Sequence, residues 1–123
     1  LVLPPSRFTR HAASEELKEA ASFALGGKEK EARQLIRRTW EGLAMKSVRA
    51  RLEHMLLDDA YTLRDLMSAH DALSPRRITE KGFRYPGKRK KAQTALFTAI
   101  RVLRDEKNRD EARKQVKEAA SHL

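Results

Sequence analysis

Apolar side chains recur along most of the chain at intervals of three and four residues, the spacing that places them on one face of an α-helix. No segment alternates apolar and polar residues for long enough to form a strand. The pattern predicts helices that begin near Ser14, Lys28, Ser47, Thr62, Lys88 and Asn108. We therefore expect an all-α fold, a compact bundle of five or six short helices with one long basic loop at about 74–87.

The first part of the chain carries signals for where a helix starts and stops. Pro4-Pro5 disfavours a helix, so residues 1–13 are predicted to be an extended N-terminal lead-in. Ser14 is a candidate N-cap because acidic residues follow it, and Gly26-Gly27 is a stop signal. Residues 14–123 are then expected to form a single helical domain.

Two later helix starts resemble capping boxes, in which a side chain and a backbone N–H three residues apart bond reciprocally. Thr62 with Asp65 predicts a helix start after a break, and Asn108 with Glu111 predicts another. The alternative to the first break is one bent helix over residues 47–73. The sequence pattern leaves both interpretations open.

Size, cysteine content and charge restrict the function classes. A chain of 123 residues is long enough for one core. It has no cysteine, which excludes disulfides, thiolate zinc sites and cysteine nucleophiles. No apolar run exceeds three residues, so neither a membrane span nor a secretory leader is expected. We therefore expect an intracellular location, in the cytoplasm, nucleus or nucleoid. A net charge of +10 favours a polyanionic partner.

The positive charge is concentrated in two segments. Residues 33–51 have six basic side chains and one acidic side chain, and residues 74–91 have eight basic side chains and one acidic side chain. Residues 52–73, between them, have five acidic side chains and one basic side chain. Neighbouring cations reinforce each other within about 8 Å at physiological salt, so these segments are the candidate anion-binding surfaces.

The loop at 74–87 and the following helix start combine cations with two aromatic rings, Phe83 and Tyr85. Rings that stack on bases, beside cations that meet phosphates, are typical of single-stranded nucleic-acid binding. The alternative is that each ring anchors the loop to the bundle. The predicted nucleic-acid-binding residues are Arg76, Arg77, Lys81, Phe83, Arg84, Tyr85, Lys88, Arg89, Lys90 and Lys91, with Arg33, Arg37 and Arg38 as a second patch.

Four consecutive cations at 88–91 oppose the dipole at a helix N-terminus, and a bound anion would relieve that conflict. Further along the same helix, Phe97 points about 140° away from the apolar stripe, on the side of Lys90, Arg101 and Arg104. We expect Phe97 to be buried against another helix, with contact to a partner as the alternative.

Catalytic and metal-binding motifs are weak. His54 and Asp58 share a helix face, but two ligands do not make a metal site. Gly26-Gly27 ends a helix and does not open one after a strand, so it is not a phosphate-binding loop. We expect no catalytic activity, no metal, no cofactor and no small-molecule substrate.

The succession of short helices, with Arg37-Arg38 and later Asp58-Asp59, resembles the helical collar domains of clamp-loader-type ATPases. The resemblance covers about half of the chain and includes no Walker motif, so it implies a similar architecture only.

Taken together, the sequence predicts a non-catalytic nucleic-acid-binding domain, as a module or subunit of a larger nucleoprotein assembly. The basic loop and the helix N-terminus would contact phosphates. The sequence is compatible with DNA or RNA as the target, and with a single or a double strand. The alternative is a collar-like protein–protein interaction or oligomerisation module that docks an acidic partner. Membrane binding is not expected.

Overall fold

The computed structural model describes residues 7–75 and 83–123, and this part of the chain is built from helices alone. The expected all-α bundle is confirmed. Its five helices are α1 (Arg7–Leu25), α2 (Glu29–Asp58), α3 (Leu63–Ala72), α4 (Pro86–Asp105) and α5 (Arg109–Ser121).

The first helix begins earlier than predicted. α1 starts at Arg7, so the expected extended lead-in is wrong for residues 7–13, and Ser14 lies inside the helix. The two prolines restrict only the residues near them, and the Ala12-Ala13 pair that follows favours a helix. Residues 1–6 lie outside the described part of the chain.

The predicted stop signal at Gly26-Gly27 is confirmed, since α1 ends at Leu25 and Gly27 adopts a left-handed conformation with φ 81°.

The second and third predicted helices form one continuous helix. α2 has 30 residues, a length of about 45 Å at 1.5 Å per residue. It passes through Ser47 without a break because its buried stripe continues there, through Met45, Val48, Leu52 and Met55.

The predicted break before α3 is confirmed, and the alternative of one helix over 47–73 is wrong. α2 ends at Asp58, and the C-cap residue Asp59 has a left-handed φ of 49°. Thr62 and Asp65 then form the capping box: Asp65 N–H donates to Thr62 Oγ1 over 3.3 Å, and Thr62 N–H donates to Asp65 Oδ2 over 2.8 Å.

The main core lies between the second half of α2 and helices α3, α4 and α5. Its fully buried side chains include Leu52, Leu66, Leu73, Leu96 and Val116. The helix α1 packs instead on the first half of α2, with small buried side chains at the contact. The long helix α2 therefore belongs to both packing units.

Polar contacts secure the ends of the shorter helices. Asn108 Oδ1 accepts the N–H of Glu111 over 3.0 Å, so the predicted N-cap of α5 is present. Arg109 donates to the carbonyls of Asp59 and Tyr61, and its guanidinium lies 4.6 Å from the centre of the Tyr61 ring. Burial raises the pKa of Tyr61, and the nearby Arg109 opposes that rise.

The segment between α3 and α4 corresponds to the predicted loop at 74–87, except that the last two residues of that loop, Pro86 and Gly87, belong to α4. Its described residues, 73–75 and 83–85, are not helical, and α4 begins at Pro86 because proline is favoured in the first turn of a helix. Within residues 7–75 and 83–123, no helix has both the length and the apolar character needed to cross a membrane.

The capping box of α3 is expected to contribute measurably to stability. Thr62→Ala removes the side-chain acceptor for a backbone N–H and should lower the free energy of unfolding by about 1 kcal/mol. Urea denaturation followed by circular dichroism measures the change. Thr94→Ala is the matched control, since Thr94 is exposed inside α4 and its hydroxyl bonds only to the carbonyl four residues before it. Equal destabilisation by both substitutions would contradict the prediction.

Candidate nucleic-acid interface

A buried ion pair fixes the N-terminal end of α4. Glu41 of α2 is 1% exposed and Arg89 of α4 is 0% exposed, and Arg89 Nε donates to Glu41 Oε2 over 2.9 Å. The other carboxylate oxygen of Glu41 accepts the backbone N–H groups of Arg84 and Tyr85, at 2.8 and 2.9 Å. Arg89 also donates to the carbonyl of Leu73 at the end of α3. One ion pair therefore connects α2, α3, α4 and the segment before α4.

Two aromatic rings surround the buried guanidinium. The Cζ atom of Arg89 lies 4.6 Å from the centre of the Phe83 ring and 5.5 Å from that of Trp40. The two ring centres are 5.5 Å apart. Cation–π attraction and apolar contact thus replace the water that Arg89 loses on burial.

This arrangement removes two predicted contact residues from the surface. Phe83 is only 9% exposed and packs on Trp40 and Arg89, so it anchors the segment and has no open face for a base. Arg89 has no exposed surface and is paired with Glu41, so the prediction that it meets a phosphate is wrong. The anchoring alternative is the correct one for Phe83.

The chain itself supplies an anion near the N-terminus of α4, where the sequence analysis considered only a bound one. The Glu41 carboxylate bonds to the N–H groups of the two residues just before the helix. The sequence analysis missed this role, although a signal was available. Glu41 stands four residues before Met45 on the buried stripe of α2, and Arg89 stands three residues before Ala92 on that of α4.

A cleft of about 330 Å³ opens beside the ion pair, between α1, the first half of α2 and the segment before α4. Three of its lining residues are cations: Arg38 and Lys46 from α2, and Arg84 from the segment. Arg38, Gly42 and Lys46 stand four residues apart, so they share one face of α2. The cleft therefore joins the two basic segments that the sequence separates.

The acidic groups of the cleft are already engaged. Glu41 accepts three hydrogen bonds, and Glu16 accepts the hydroxyl of Thr39 over 2.7 Å. By contrast, the side chains of Arg38 and Lys46 form no hydrogen bond or ion pair with any residue in the described ranges. Two cations of the cleft are thus available to a ligand.

Tyr85 lines the cleft and is the accessible aromatic ring of this region, with 41% exposure. Lys88 Nζ lies 4.9 Å from the ring centre, and the guanidinium of Arg84 lies 5.9 Å from it. The structure therefore places a ring and cations together, as the sequence predicted for the loop, with Tyr85 and not Phe83 as the exposed ring.

The remaining predicted contacts are dispersed. Lys90 and Lys91 are exposed but do not line the cleft, because successive residues of a helix point about 100° apart. Arg33 lies 3.6 Å from Glu29 in an exposed ion pair, and Arg37 is half-buried. The predicted contacts Arg76, Arg77 and Lys81 lie outside the described residues.

The expected burial of Phe97 is wrong. Its ring is 59% exposed on α4, because no described helix covers the face opposite the core. Lys90 and Arg101 are exposed on the same side, as is Arg104, which pairs with Asp105 over 2.9 Å. The hydrogen bond from Arg104 lowers the pKa of Asp105.

His54 and Asp58, which the sequence placed on one helix face, lie 3.1 Å apart across one turn of α2. Among the residues that the structure describes, no three acidic, histidine or cysteine side chains are placed to hold a metal ion.

Comparison with protein-family models, with curated proteins and with solved structures yields no match. The chemistry of the basic cleft is the remaining guide to function.

The buried ion pair is expected to be far more sensitive to loss of one partner than of both. Glu41→Leu leaves Arg89 charged in the core and should lower the free energy of unfolding by about 3–5 kcal/mol. The double variant Glu41→Leu/Arg89→Met has no unpaired charge and should be more stable than the single variant. Urea denaturation of both proteins measures the difference.

The matched control is Arg104→Met, which removes an exposed arginine of the same helix that also bonds to a carboxylate. It should leave the denaturation midpoint almost unchanged, since exposed ion pairs contribute little. A double variant no more stable than Glu41→Leu would show that unpaired charge is not the dominant cost.

Proposed function

We propose that this chain is a non-catalytic nucleic-acid-binding domain and that its basic cleft, with the adjacent N-terminal end of α4, contacts the phosphate backbone. The observation that carries the proposal is the convergence of Arg38, Lys46 and Arg84, from two distant segments, around one concave site. Dispersed lysines would only make the surface soluble, whereas cations gathered in a cleft sum their potential on a ligand.

The surroundings of the cleft extend this positive region. Lys88 lies beside Tyr85 at the rim, and Lys90 and Lys91 are exposed on the next turn of α4. A polyanion that crosses the cleft would meet several cations in succession, as nucleic-acid backbones require. The fixed Glu41–Arg89 pair keeps the rim in position without occupying these cations.

The salt dependence of binding tests the proposal. If Arg38, Lys46, Arg84 and Lys88 each meet one phosphate, the slope of log K against log salt should be roughly −3 on a single strand and −4 on a duplex. Arg38→Gln/Lys46→Gln should then make the slope shallower by about 1.4 on a single strand or 1.8 on a duplex. Fluorescence anisotropy with labelled DNA and RNA, between about 50 and 200 mM salt, gives both slopes.

The matched control for charge is Lys114→Gln/Lys117→Gln, on a helix that contributes nothing to the cleft. This variant has the same net charge as Arg38→Gln/Lys46→Gln but should retain the parental slope. Equal losses in the two variants would indicate a diffuse charge effect and would overturn the assignment to the cleft. Absence of binding to every nucleic acid at low salt would overturn the proposed function.

A second candidate function, docking of an acidic protein surface, is favoured by Phe97. A large apolar ring that is 59% exposed between Lys90 and Arg101 resembles the anchor of a protein interface. The occupant that the next experiment tests is a second copy of the chain, whose acidic residues 52–73 would meet this basic face.

Self-association through this face would depend on both the ring and the charges around it. Phe97→Ala should then abolish any concentration-dependent increase in sedimentation coefficient, and salt should weaken the association. Nucleic-acid affinity should be unchanged, because Phe97 does not line the cleft. A protein that remains monomeric at all concentrations would exclude assembly through Phe97.

A further inference from the structure

We infer that the basic cleft accepts one unpaired nucleotide, so that the domain prefers single-stranded nucleic acid to a duplex. This inference rests on the proposed function and specifies its ligand. It combines three features of the cleft: its volume, its ring and its small floor residues.

The volume fits a group of limited size. At about 330 Å³, the cleft is at the lower end of the range for sites that hold small organic ligands, a size suited to a single nucleotide. A base in a duplex is stacked and paired, so a duplex could offer the cleft only its backbone and groove edges. A nucleotide of a single strand can turn its base outward and enter.

The exposed ring supplies the contact that an unpaired base needs. Tyr85 lines the same cleft as Arg38, Lys46 and Arg84, so a base on the ring would have its phosphate within the cluster of cations. Lys88 lies over this ring, but an exposed cation–π contact contributes only about two- to five-fold to an equilibrium. Base–aromatic stacking contributes roughly five- to 150-fold, and an exposed lysine can move aside.

Small residues leave the space that the nucleotide would fill. Gly42 lies between Arg38 and Lys46 on α2, and a Cβ atom added there would meet no atom within 4 Å apart from its chain neighbours and the backbone of its own helix. Ala12 and Ala13 of α1 also line the cleft. The cations therefore stand around a gap rather than on a filled surface.

Two substitutions test the inference without changing the charge. Tyr85→Leu removes the ring while its backbone N–H can still donate to Glu41, and Gly42→Leu fills the floor with all cations retained. Each should weaken binding of a labelled oligothymidine of about ten nucleotides by roughly ten-fold, measured by fluorescence anisotropy. The parental protein should bind a blunt duplex of similar length more weakly than the single strand, and neither substitution should change the affinity for the duplex. Tyr85→Phe, which keeps the ring, is the matched control and should retain the parental affinity.

A second measurement uses one nucleotide as the probe. Thymidine 5′-monophosphate should shift the amide resonances of residues 38–46 and 84–88 in NMR spectra, and Gly42→Leu should abolish these shifts. Inorganic phosphate should shift them less, because it cannot stack on Tyr85. Equal shifts by both probes would indicate a simple anion site and would overturn the inference.

The failures of the two proposals are distinguishable. If Arg38→Gln/Lys46→Gln weakens binding while Tyr85→Leu and Gly42→Leu leave single-strand affinity unchanged, nucleic-acid binding stands and the unpaired-nucleotide site is wrong. A duplex bound as tightly as the single strand leads to the same conclusion. If none of these nucleic acids binds at low salt, both proposals are wrong.

Discussion

A buried carboxylate and a buried guanidinium determine the geometry of the basic cleft and of the segment before α4. Glu41 and Arg89 would each be costly to bury alone, so they are compatible with the fold only when α2 and α4 bring them together. The same carboxylate accepts the two N–H groups that precede α4, and Arg89 bonds to the end of α3. The position of Arg84 and Tyr85 at the cleft therefore follows from the position of this pair.

The elements that sequence analysis predicted well are those specified by local chemistry. The Thr62 capping box and the Gly26-Gly27 stop depend on residues close in the chain, and both are present. The missed continuity of α2 has a different cause: Ser47 is acceptable both as an N-cap and inside a helix, and only the packing of the stripe on either side decides between them. The extended lead-in predicted for residues 7–13 was wrong for a similar reason. The proline pair restricts the residues next to it and does not determine the conformation several positions later.

The candidate site was predictable only in part, because charge clusters in sequence and in space differ. The four consecutive cations of α4 point about 100° apart from one residue to the next, and one of them, Arg89, is buried. Conversely, Arg38 and Lys46 are eight residues apart but share a helix face, and Arg84 joins them only through the tertiary fold. The stripe positions of Glu41 and Arg89 were visible in the sequence. Charged residues are so seldom fully buried that their place on an apolar stripe is readily taken as incidental.

The length of α2 links the cleft to the core. Its first half supplies Arg38, Gly42 and Lys46 to the cleft, while its second half contributes Leu52 to the main core. With a break at Ser47, the wall of the cleft would be held only by its contacts with α1 and by the Glu41–Arg89 pair. Because the helix is continuous, packing around Leu52 also orients the cations of the cleft. A site that must hold a ring and three cations around one narrow gap benefits from such rigid support, since a preorganised site loses less conformational freedom when its ligand binds.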